Sequence, residues 1–479
     1  MKKLLLCIAV MLAANLSQAQ WEPDVRLTNA IAASYLSANS NANVINASGD
    51  TLRVVWADYR DGSNGEIYYK RSTDNGQTWD PDLRLTNSSQ WSYDPCIAIS
   101  GLMVHVLWCE GVSDTIEEIY YKCSEDGGTT WGTDIRLTNS NRNSESPAVA
   151  IDGSVIHVVW MDYYTNWDYE IFYKRSLDGG LTWDADIRMT HNTSYCGYPG
   201  VVASGSNVHV VWEDDRDENG EIYFKRSADG GLSWGDDIRL TNDPADSWDP
   251  AISLNDSVVH IVWQDNRDGG AYEIYYKRST DGGMTWGDDT RLTNAPAPSE
   301  YPTIAVSGSN VHITWQDQRD MNYEIYYKKS EDAGLTWGND TRLTNIFGNS
   351  EWPHIAVANS TVHILWDDAR DGNDEIYYKR NPTGNFYVGI ENAFVNDAGH
   401  QIKIWPNPAT TTVHVNFDNY SNENFSISIR NILGEEVCNR KIQNGETIID
   451  ISGLKTGFYF LSVTGNNKQS WVTRLVITK

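Results

Sequence analysis

A unit of about 52 residues recurs along most of this 479-residue chain and limits it to a repeat architecture. The unit is clearest over 273–294, EIYYKRSTDGGMTWGDDTRLTN, and near copies continue to residue 380. A fixed period of this length indicates stacked supersecondary units. One tryptophan closes an apolar run in each copy, and these key tryptophans are 52, 52, 52, 51, 52 and 51 residues apart: Trp56, Trp108, Trp160, Trp212, Trp263, Trp315 and Trp366.

Each copy contains four short strand patterns. In the fifth copy they are PAISL (250–254), VVHIVW (258–263), EIYYKRS (273–279) and DTRLTN (289–294). Such runs are rich in Val, Ile, Tyr, Thr and Trp and are separated by Gly, Asp and Asn, which is typical of antiparallel hairpins. Four strands per repeat, arranged radially, form the blade of a β-propeller. We therefore predict an all-β chain.

The two ends of the repeat region supply complementary parts of one blade. Residues 21–29, WEPDVRLTN, match the fourth strand at 79–87, WDPDLRLTN, whereas the last copy stops after its third strand at 374–381. Pairing of these ends would close the ring and remove an exposed sheet edge. We predict a seven-bladed propeller over 20–380, closed by strand 21–29, in which 14 of the 20 tryptophans have structural roles.

The N-terminus and the charge balance indicate export without a nucleic-acid partner. Residues 1–19 have the layout of a signal peptide: Lys2 and Lys3, the apolar run LLLCIAVMLAA, and a small-residue cleavage site ending at Ala19. No later apolar run is long enough to span a bilayer. The net charge of -28 argues against binding to nucleic acid or to anionic membranes.

The cysteines and histidines show no metal-ligand spacing, so we predict neither a metal site nor a cofactor. Cys96 and Cys109 fall near neighbouring antiparallel strands, and we consider a disulfide between them. Six histidines each lie three residues before a key tryptophan, inside a strand, and regular placement of this kind favours a packing role.

The turn between the third and fourth strands reads S-x-D-x-G-x-[ST]-W six times, first at Ser72 to Trp79. Asp accepts backbone N–H bonds within such a turn, Gly permits positive φ, and Trp packs between sheets. The pattern resembles the Asp-box (BNR) repeat of the bacterial sialidase superfamily over about residues 21–380. This resemblance implies that the six aspartates are structural and lie away from any active site: Asp74, Asp126, Asp178, Asp229, Asp281 and Asp332.

The same resemblance offers alternatives for the blade count and the activity. Sialidases are six-bladed and use an arginine triad, an Asp acid and a Tyr–Glu nucleophile pair. Here we count seven copies and find no Arg-Ile-Pro motif near the first of them. The six-bladed fold is kept as the alternative, and both departures argue against sialidase activity.

A second pattern follows the repeats. Residues 381–401 break the period and are interpreted as a linker. From 402 onward, alternating apolar residues predict a small Ig-like β-sandwich. The segments WPNP, NILGEEV and IDISGLKTGFY and the C-terminal lysine resemble the type A sorting domain of the Bacteroidetes type IX secretion system. The resemblance implies that residues 402–479 engage that machinery, so the protein would pass through the periplasm and be secreted or displayed on the outer membrane.

A motif W-x-[DE]-x-R-D repeats between the second and third strands. Because a feature repeated around a ring is usually scaffold, we interpret it as Asp–Arg pairs that tie hairpins. The functional alternative is bidentate recognition of an acidic sugar by the five arginines: Arg60, Arg216, Arg267, Arg319 and Arg370.

Asymmetry between the copies is the better guide to a site. The second and third copies lack this arginine, which leaves Glu110, Asp162 and Tyr163 as weak catalytic candidates. Aromatic planes beside carboxylates suit sugar rings, although surface aromatics also simply cover blade ends. The aromatic ligand-binding candidates in the second-to-third-strand and blade-entry loops are Trp91, Tyr93, Tyr164, Trp167, Tyr195, Tyr198, Trp248, Tyr301 and Trp352.

These features favour a secreted or surface-displayed binding module for a glycan or an extracellular protein over an enzyme. The alternative is a sialidase-like exo-glycoside hydrolase, with Glu110 or Asp162 as acid and Tyr163 as nucleophile. A purely structural surface protein is the third hypothesis. An acid and a nucleophile converging in one pocket would distinguish the enzyme from the other two.

Overall fold

The computed structural model describes residues 21–37, 39–62, 64–113, 115–140, 142–165, 168–382, 402–407, 409–417, 424–431, 436–443, 445–455, 457–465 and 470–478. The predicted signal peptide, most of the predicted linker and Trp167 lie outside these residues, and so does the side chain of Tyr164. The described residues fall into two compact units, one over Trp21–Pro382 and one within 402–478. Every regular element in them is a strand, so the all-β prediction is confirmed.

The first unit contains seven sheets, which we number 1 to 7 by the order of their first strands. These first strands are β3 (Ile45–Ser48), β7 (Ser92–Ser100), β11 (Ser144–Asp152), β15 (Cys196–Ser204), β19 (Ser247–Asn255), β23 (Ser299–Ser307) and β27 (Ser350–Ala358). The second strands, which end just past the key tryptophans, are β4 (Thr51–Asp58), β8 (Met103–Ser113), β12 (Val155–Thr165), β16 (Asn207–Asp214), β20 (Val258–Asp265), β24 (Asn310–Asp317) and β28 (Thr361–Asp368).

The other two strands of each sheet are a longer third strand and a very short fourth strand. Neighbouring strands within a sheet are antiparallel. The third strands are β5 (Glu66–Ser72), β9 (Ile116–Ser124), β13 (Asp168–Ser176), β17 (Glu221–Ser227), β21 (Glu273–Ser279), β25 (Glu324–Ser330) and β29 (Glu375–Asn381). The fourth strands are β6 (Leu83–Arg84), β10 (Ile135–Arg136), β14 (Ile187–Arg188), β18 (Ile238–Arg239), β22 (Thr290–Arg291), β26 (Thr341–Arg342) and, in sheet 7, β1 (Val25–Arg26). Sheet 1 has an extra strand, β2 (Ser34–Tyr35), on the end of β4.

The N-terminal strand completes the last sheet. In the register of β1 on β29, Val25 lies opposite Tyr378 and Arg26 opposite Tyr377. Residues about 350 positions apart therefore share one sheet, as the matching end segments predict. The first strands of consecutive sheets are in contact, and β27 of sheet 7 contacts β3 of sheet 1.

Neighbouring sheets are joined by one repeated aromatic contact. The tryptophan that ends each turn motif, and Trp21 in sheet 7, meets a ring of the preceding sheet edge-on, with centroids 4.9 to 5.2 Å apart. Trp79 makes the contact to Tyr378 of sheet 7. The key tryptophans are almost fully buried, as their structural role requires. Such edge-to-face pairs add to the free energy of area burial.

A lysine bond repeats at the same joints. The third strand of every sheet sends a lysine Nζ to a backbone carbonyl of the preceding fourth strand's end, such as Lys379 to Leu343 O at 2.5 Å. Lys70 of sheet 1 reaches Leu27 O, beside the strand that completes sheet 7, at 2.6 Å. The joint between the two ends of the chain is therefore built like the other six.

A short segment, residues 37 and 39–43, crosses between the first strands; we call it the crossing segment. The Asn39 amide donates to Ser146 O at 3.2 Å and Pro199 O at 3.3 Å. His354 contacts Ser37 O at 3.1 Å. The crossing segment therefore satisfies backbone carbonyls of sheets 3 and 4 and is held by sheet 7. A cavity of only about 30 Å³ remains between the crossing segment and the first strands, which is too small for a sugar.

The disulfide considered between Cys96 and Cys109 is wrong. Cys96 lies opposite Leu107, and Cys109 lies opposite Tyr93, on β7 and β8. The two cysteines therefore occupy different cross-strand pairs, and both thiols are free and buried.

The second unit has two sheets that share one apolar core. The first sheet contains β30 (Ile402–Trp405), β31 (Thr412–Phe417) and β34 (Gly445–Asp450), and the second contains β32 (Asn424–Asn431), β33 (Glu436–Gln443), β35 (Gly457–Gly465) and β36 (Ser470–Ile477). The core includes Val413, Ile427 and Ile429, which alternate with polar neighbours along their strands.

Candidate functional site

Opposite the turn motifs, each sheet has an edge where its first strand begins and its second strand ends; we call this edge the entry rim. In sheet 5, Asp265 Oδ2 accepts bonds from Trp263 Nε1 and Ser247 Oγ, each at 2.9 Å. Arg267 Nε donates to Asp265 Oδ1 at 2.8 Å, and Nη1 to Asp289 Oδ2 at 2.8 Å. Although burial opposes ionisation, the bonds from Arg267 and Trp263 lower the pKa of Asp265.

All five rim arginines make this same arrangement. Each guanidinium pairs with the acid two residues after the key tryptophan and with a second carboxylate near the fourth strand. It also lies over a tyrosine ring, 4.1 to 4.6 Å from the ring centroid. The structure therefore places Arg60, Arg216, Arg267, Arg319 and Arg370 in intramolecular pairs.

At the other end of the sheets, the six motif aspartates hold their own turns. The Asp281 carboxylate accepts bonds from the Thr285 backbone N at 2.9 Å and the Thr285 hydroxyl at 2.6 Å, and from Met284 N at 3.0 Å. The backbone and hydroxyl bonds from the Thr or Ser four residues on recur in the other five turns.

The catalytic candidates of sheets 2 and 3 sit at scaffold positions. Glu110 Oε2 accepts from Trp108 Nε1 at 2.9 Å, and burial raises the pKa of Glu110. Asp162 lies 3.6 Å from Arg142 Nε, and burial raises its pKa to about 7. Tyr163 packs edge-on against Tyr169.

Trp91 and Tyr93 hold a different acid. Trp91 Nε1 donates to Glu117 Oε1 at 3.0 Å, and the Tyr93 hydroxyl donates to Glu117 Oε2. Beside them, Glu145 has its pKa raised to about 7 by burial and by the charge of Glu117. These two aromatic candidates are thus committed to hydrogen bonds within the protein.

A cavity of about 350 Å³ opens at the entry rim of sheets 4 to 6. Its lining combines five aromatic side chains with four carboxyls and one amide. The residues are Tyr195, Tyr198, Glu213, Asp215, Trp248, Asp249, Gln264, Tyr272, Glu300 and Tyr301. Four of the predicted aromatic residues, Tyr195, Tyr198, Trp248 and Tyr301, meet here, whereas Glu110, Asp162 and Tyr163 do not line it. Trp352 packs on Tyr301, with centroids 4.1 Å apart, and lines a neighbouring cavity of about 250 Å³.

Two of the four carboxyls in this cavity are almost fully buried. Glu213 and Asp249 are each only 6% exposed. The Asp249 backbone N donates to Glu213 Oε2 at 3.1 Å. Burial, and then the charge of Asp249, raises the pKa of Glu213 well above its usual range. Burial, and then the charge of Glu300, raises the pKa of Asp249 to about 7. Perturbed acids in a cleft are typical of functional sites.

Glu213 occupies a position that the sequence analysis overlooked, the residue directly after the key tryptophan. Its equivalents in sheets 5 and 6, Gln264 and Gln316, accept the backbone N of Tyr301 at 2.9 Å and of Trp352 at 3.1 Å. Glu213 makes the same bond to the next sheet. Because an amide oxygen suffices for this bond, the acidic group of Glu213 exceeds what the scaffold needs.

Two glycines make room for the cavity walls. At the entry rim, sheet 6 pairs Glu300 with Tyr323, whose hydroxyl donates to it at 3.0 Å. Sheet 4 has Gly197 and Gly220 instead. A Cβ on Gly220 would lie 2.0 Å from Trp248 Nε1, and one on Gly197 would lie 2.2 Å from the Tyr195 hydroxyl. Absence of side chains in sheet 4 therefore lets two aromatic side chains line the cavity.

Comparison with known proteins identifies two domains. Residues 102–313 match the BNR repeat-like domain family, and residues 403–478 match the secretion system C-terminal sorting domain family. No curated protein matches the sequence. Among the described residues, no helix is long and apolar enough to cross a membrane.

Three solved structures are among those that match this chain. A polysaccharide lyase is 9% identical over 76% of this chain and 100% of its own, with a TM-score of 0.53. An ulvan lyase of a new polysaccharide lyase family is 12% identical over 75% of this chain and 94% of its own, with a TM-score of 0.51. A Hadza microbial sialidase is 16% identical over 71% of this chain and 74% of its own, with a TM-score of 0.42. At these identities the likeness to the two lyases concerns the fold alone. The chain thus joins a BNR repeat-like domain to a type IX secretion C-terminal sorting domain, and it is a secreted or outer-membrane-surface protein.

Proposed function

We propose that this protein is an exported glycan-binding protein whose site is the cavity at the entry rim of sheets 4 to 6. The observation that carries the proposal is the lining of that cavity, in which aromatic rings stand beside buried carboxyls. Sugar rings stack their C–H faces on aromatic planes, while their hydroxyls bond to polar groups at the edge.

We further propose that the seven sheets are the blades of one closed seven-bladed propeller, followed by an Ig-like sorting domain. The pairing of β1 with β29 and the bond from Lys70 to Leu27 O support closure, since they repeat the contacts of the other joints. A closed ring has no free sheet edge and holds the rim loops in fixed positions.

The aromatic surface of the cavity is ordered before any ligand arrives. Trp248 stacks on Tyr272, with ring centroids 5.6 Å apart and planes 30° apart. Tyr301 is held through its backbone N by Gln264 and through its ring by Trp352. Fixed rings lose little conformational entropy on binding, which favours affinity.

Binding is favoured over sialidase-like hydrolysis because the rim arginines are occupied by intramolecular carboxylates. Recognition of a sugar carboxylate would have to break a bidentate pair such as Arg216–Asp214. One observation keeps a glycoside hydrolase as the second candidate. Asp249, with its pKa raised to about 7, could act as a general acid that donates its proton.

One experiment separates these candidates. The purified protein is incubated with neutral, amino and sialylated glycans, and released sugars are followed by mass spectrometry while retained glycans are measured on the immobilised protein. We expect retention without release, and loss of retention in Trp248→Ala. Leu232→Ala, an exposed substitution in a turn at the other end of the sheets, serves as control. Release that disappears in Asp249→Asn would establish the hydrolase. The absence of both release and retention would contradict a glycan site.

A further inference from the structure

We propose that the cavity of sheets 4 to 6 binds the ammonium group of an amino sugar, seated against Asp249 between the aromatic rings. This inference rests on the proposed glycan function and adds the charge class of the ligand. It follows from three features of the lining: unpaired buried acid, an open hydrogen-bonding position and flanking ring faces.

The first feature is that the cavity lining has acidic side chains but no basic ones. Glu213, Asp215, Asp249 and Glu300 all line the cavity, and its lining contains no lysine, arginine or histidine. The acid two residues after the key tryptophan differs, because a guanidinium pairs with it in five sheets, including sheets 4 to 6. A buried carboxylate without a cation is costly, so the cavity gains most from a ligand that brings the positive charge.

The second feature is the open position on Asp249. Only 6% of the surface of this residue is exposed, yet no group among the described residues donates a hydrogen bond to its carboxyl. Its backbone is fixed by the bond to Glu213 at 3.1 Å and by a φ of 50°. The carboxyl is thus held at the cavity wall with its acceptor capacity unused. An ammonium group, with three donors, fits that need.

The third feature is the ring surface around this carboxyl. Trp248 and Tyr272 form one stacked wall, and Tyr301 forms another part of the lining. The faces of such rings attract organic cations within about 6 Å. A sugar carboxylate or sulfate would find no cationic side chain in this lining. An inorganic cation is disfavoured too, since the described residues contain no cluster of three His, Cys, Asp or Glu side chains able to hold a metal.

The test measures binding of three probes to the full-length protein by calorimetry at low salt. The probes are a fully deacetylated glucosamine tetramer, its N-acetylated counterpart and tetramethylammonium chloride. We expect the deacetylated tetramer to bind roughly tenfold or more tightly than the acetylated one, and tetramethylammonium to compete with it. Asp249→Asn should weaken the deacetylated tetramer by roughly tenfold, whereas Asp236→Asn, at an exposed site, should not. Melting curves of both variants establish that they are folded.

The outcomes separate the two proposals. Equal affinity for the two tetramers would overturn the ammonium site and leave the glycan function standing. Binding of tetramethylammonium without either tetramer would support a cation site but overturn the amino sugar as its ligand. No binding of any probe would overturn the ammonium site, and the wider glycan panel described above would then decide the function alone.

Discussion

Asp249 and Asp265 belong to the same sheet and are both buried, but only Asp265 has a cation beside it. Arg267 and Trp263 hold the Asp265 carboxylate, and its pKa is lowered in spite of burial. Asp249 faces Glu300 across the cavity, and its pKa is raised to about 7. A single neighbouring guanidinium thus decides whether a buried aspartate supports the fold or remains available for a ligand.

The raised pKa of Asp249 predicts a stability that falls as the pH rises. The unfolded carboxyl ionises near 3.8 and the folded one near 7, so between these values the unfolded state releases its proton first. We expect Asp249→Asn to stabilise the protein at pH 8 by about 4 kcal/mol and to have little effect at pH 4. Urea unfolding at the two pH values measures the difference.

The matched control for this experiment is Asp236→Asn. Asp236 is exposed and lies between the turn motif and the fourth strand of sheet 4. It should leave unfolding unchanged at both pH values. An Asp249→Asn variant that is less stable at pH 8 would show that the carboxylate, not the acid, is the form that the folded protein prefers.

At the scale of the elements, sheet 4 differs from its neighbours through residues that are missing. Gly197 and Gly220 replace the large polar pair found at the rim of sheet 6, and Trp248 of sheet 5 lies against the vacated backbone. Neither glycine has the positive φ that would require glycine for backbone reasons. Their role is to leave space, which makes them sensitive to one added methyl group.

We expect Gly220→Ala to abolish or strongly weaken glycan binding. The new Cβ would lie 2.0 Å from Trp248 Nε1, so the indole must move away from Tyr272 and open the cavity wall. Gly287→Ala is the control, because its Cβ would meet only Arg278 O at an ordinary 3.6 Å. Tryptophan fluorescence and glycan retention report the displacement and its effect. Retention equal to that of the unchanged protein would exclude Trp248 from the site.

The strands and turns were predictable from the sequence because each is written several times. Seven tryptophans at a constant spacing and six turn aspartates leave little freedom in the assignment of strands. The site was only partly predictable, because it depends on the copies departing from their common pattern. Their aromatic character predicts Tyr198, Trp248 and Tyr301 as ligand-binding residues, but the absence of the rim arginine points to sheets 2 and 3 for the catalytic candidates.

The acids at the centre of the cavity were missed for a physical reason. Glu213 follows its key tryptophan inside a strand whose next residue, Asp214, is the repeated rim acid. Two consecutive acids look alike in a sequence, but they point to opposite faces of a strand. Alignment of the copies gives the signal: the equivalent position holds Ala57, Cys109 and Met161 in sheets 1 to 3.

At the scale of the whole molecule, the proposed ring closure depends on the pairing of β1 with β29. Residues 21–29 contribute β1, the contact of Trp21 with Tyr327, and the carboxylate of Asp24 that pairs with Arg370 at 2.9 Å and Lys379 at 2.8 Å. Without them, sheet 7 would expose the edge of β29 to solvent and to other chains.

We expect a protein lacking residues 21–29 to lose its single cooperative unfolding transition and to aggregate. Calorimetry and size-exclusion chromatography measure both effects. A synthetic peptide of residues 21–29, added in excess, should restore part of the melting temperature because it refills the vacant strand position. Unchanged, cooperative unfolding of the shortened protein would contradict ring closure through β1.

The sorting domain gives a prediction for the cell. Because residues 403–478 match the secretion system sorting family, a protein lacking 402–479 should accumulate in the periplasm. Cell fractionation and protease treatment of intact cells measure its location. Glycan retention by the shortened protein should persist, since the proposed cavity lies wholly within Trp21–Pro382.

The crossing segment also bears on the history of the gene. Repeats this similar invite unequal recombination, which adds or removes one copy at a time. Asn39, however, bonds to carbonyls of sheets 3 and 4, and Asn41 bonds to Tyr198 O at 3.2 Å and to Pro250 O of sheet 5 at 2.5 Å. A ring with one copy more or fewer would present these carbonyls at other distances and leave buried amides unsatisfied. We therefore expect a change in copy number to cost the protein these hydrogen bonds, whereas substitutions at the entry rim would leave them intact.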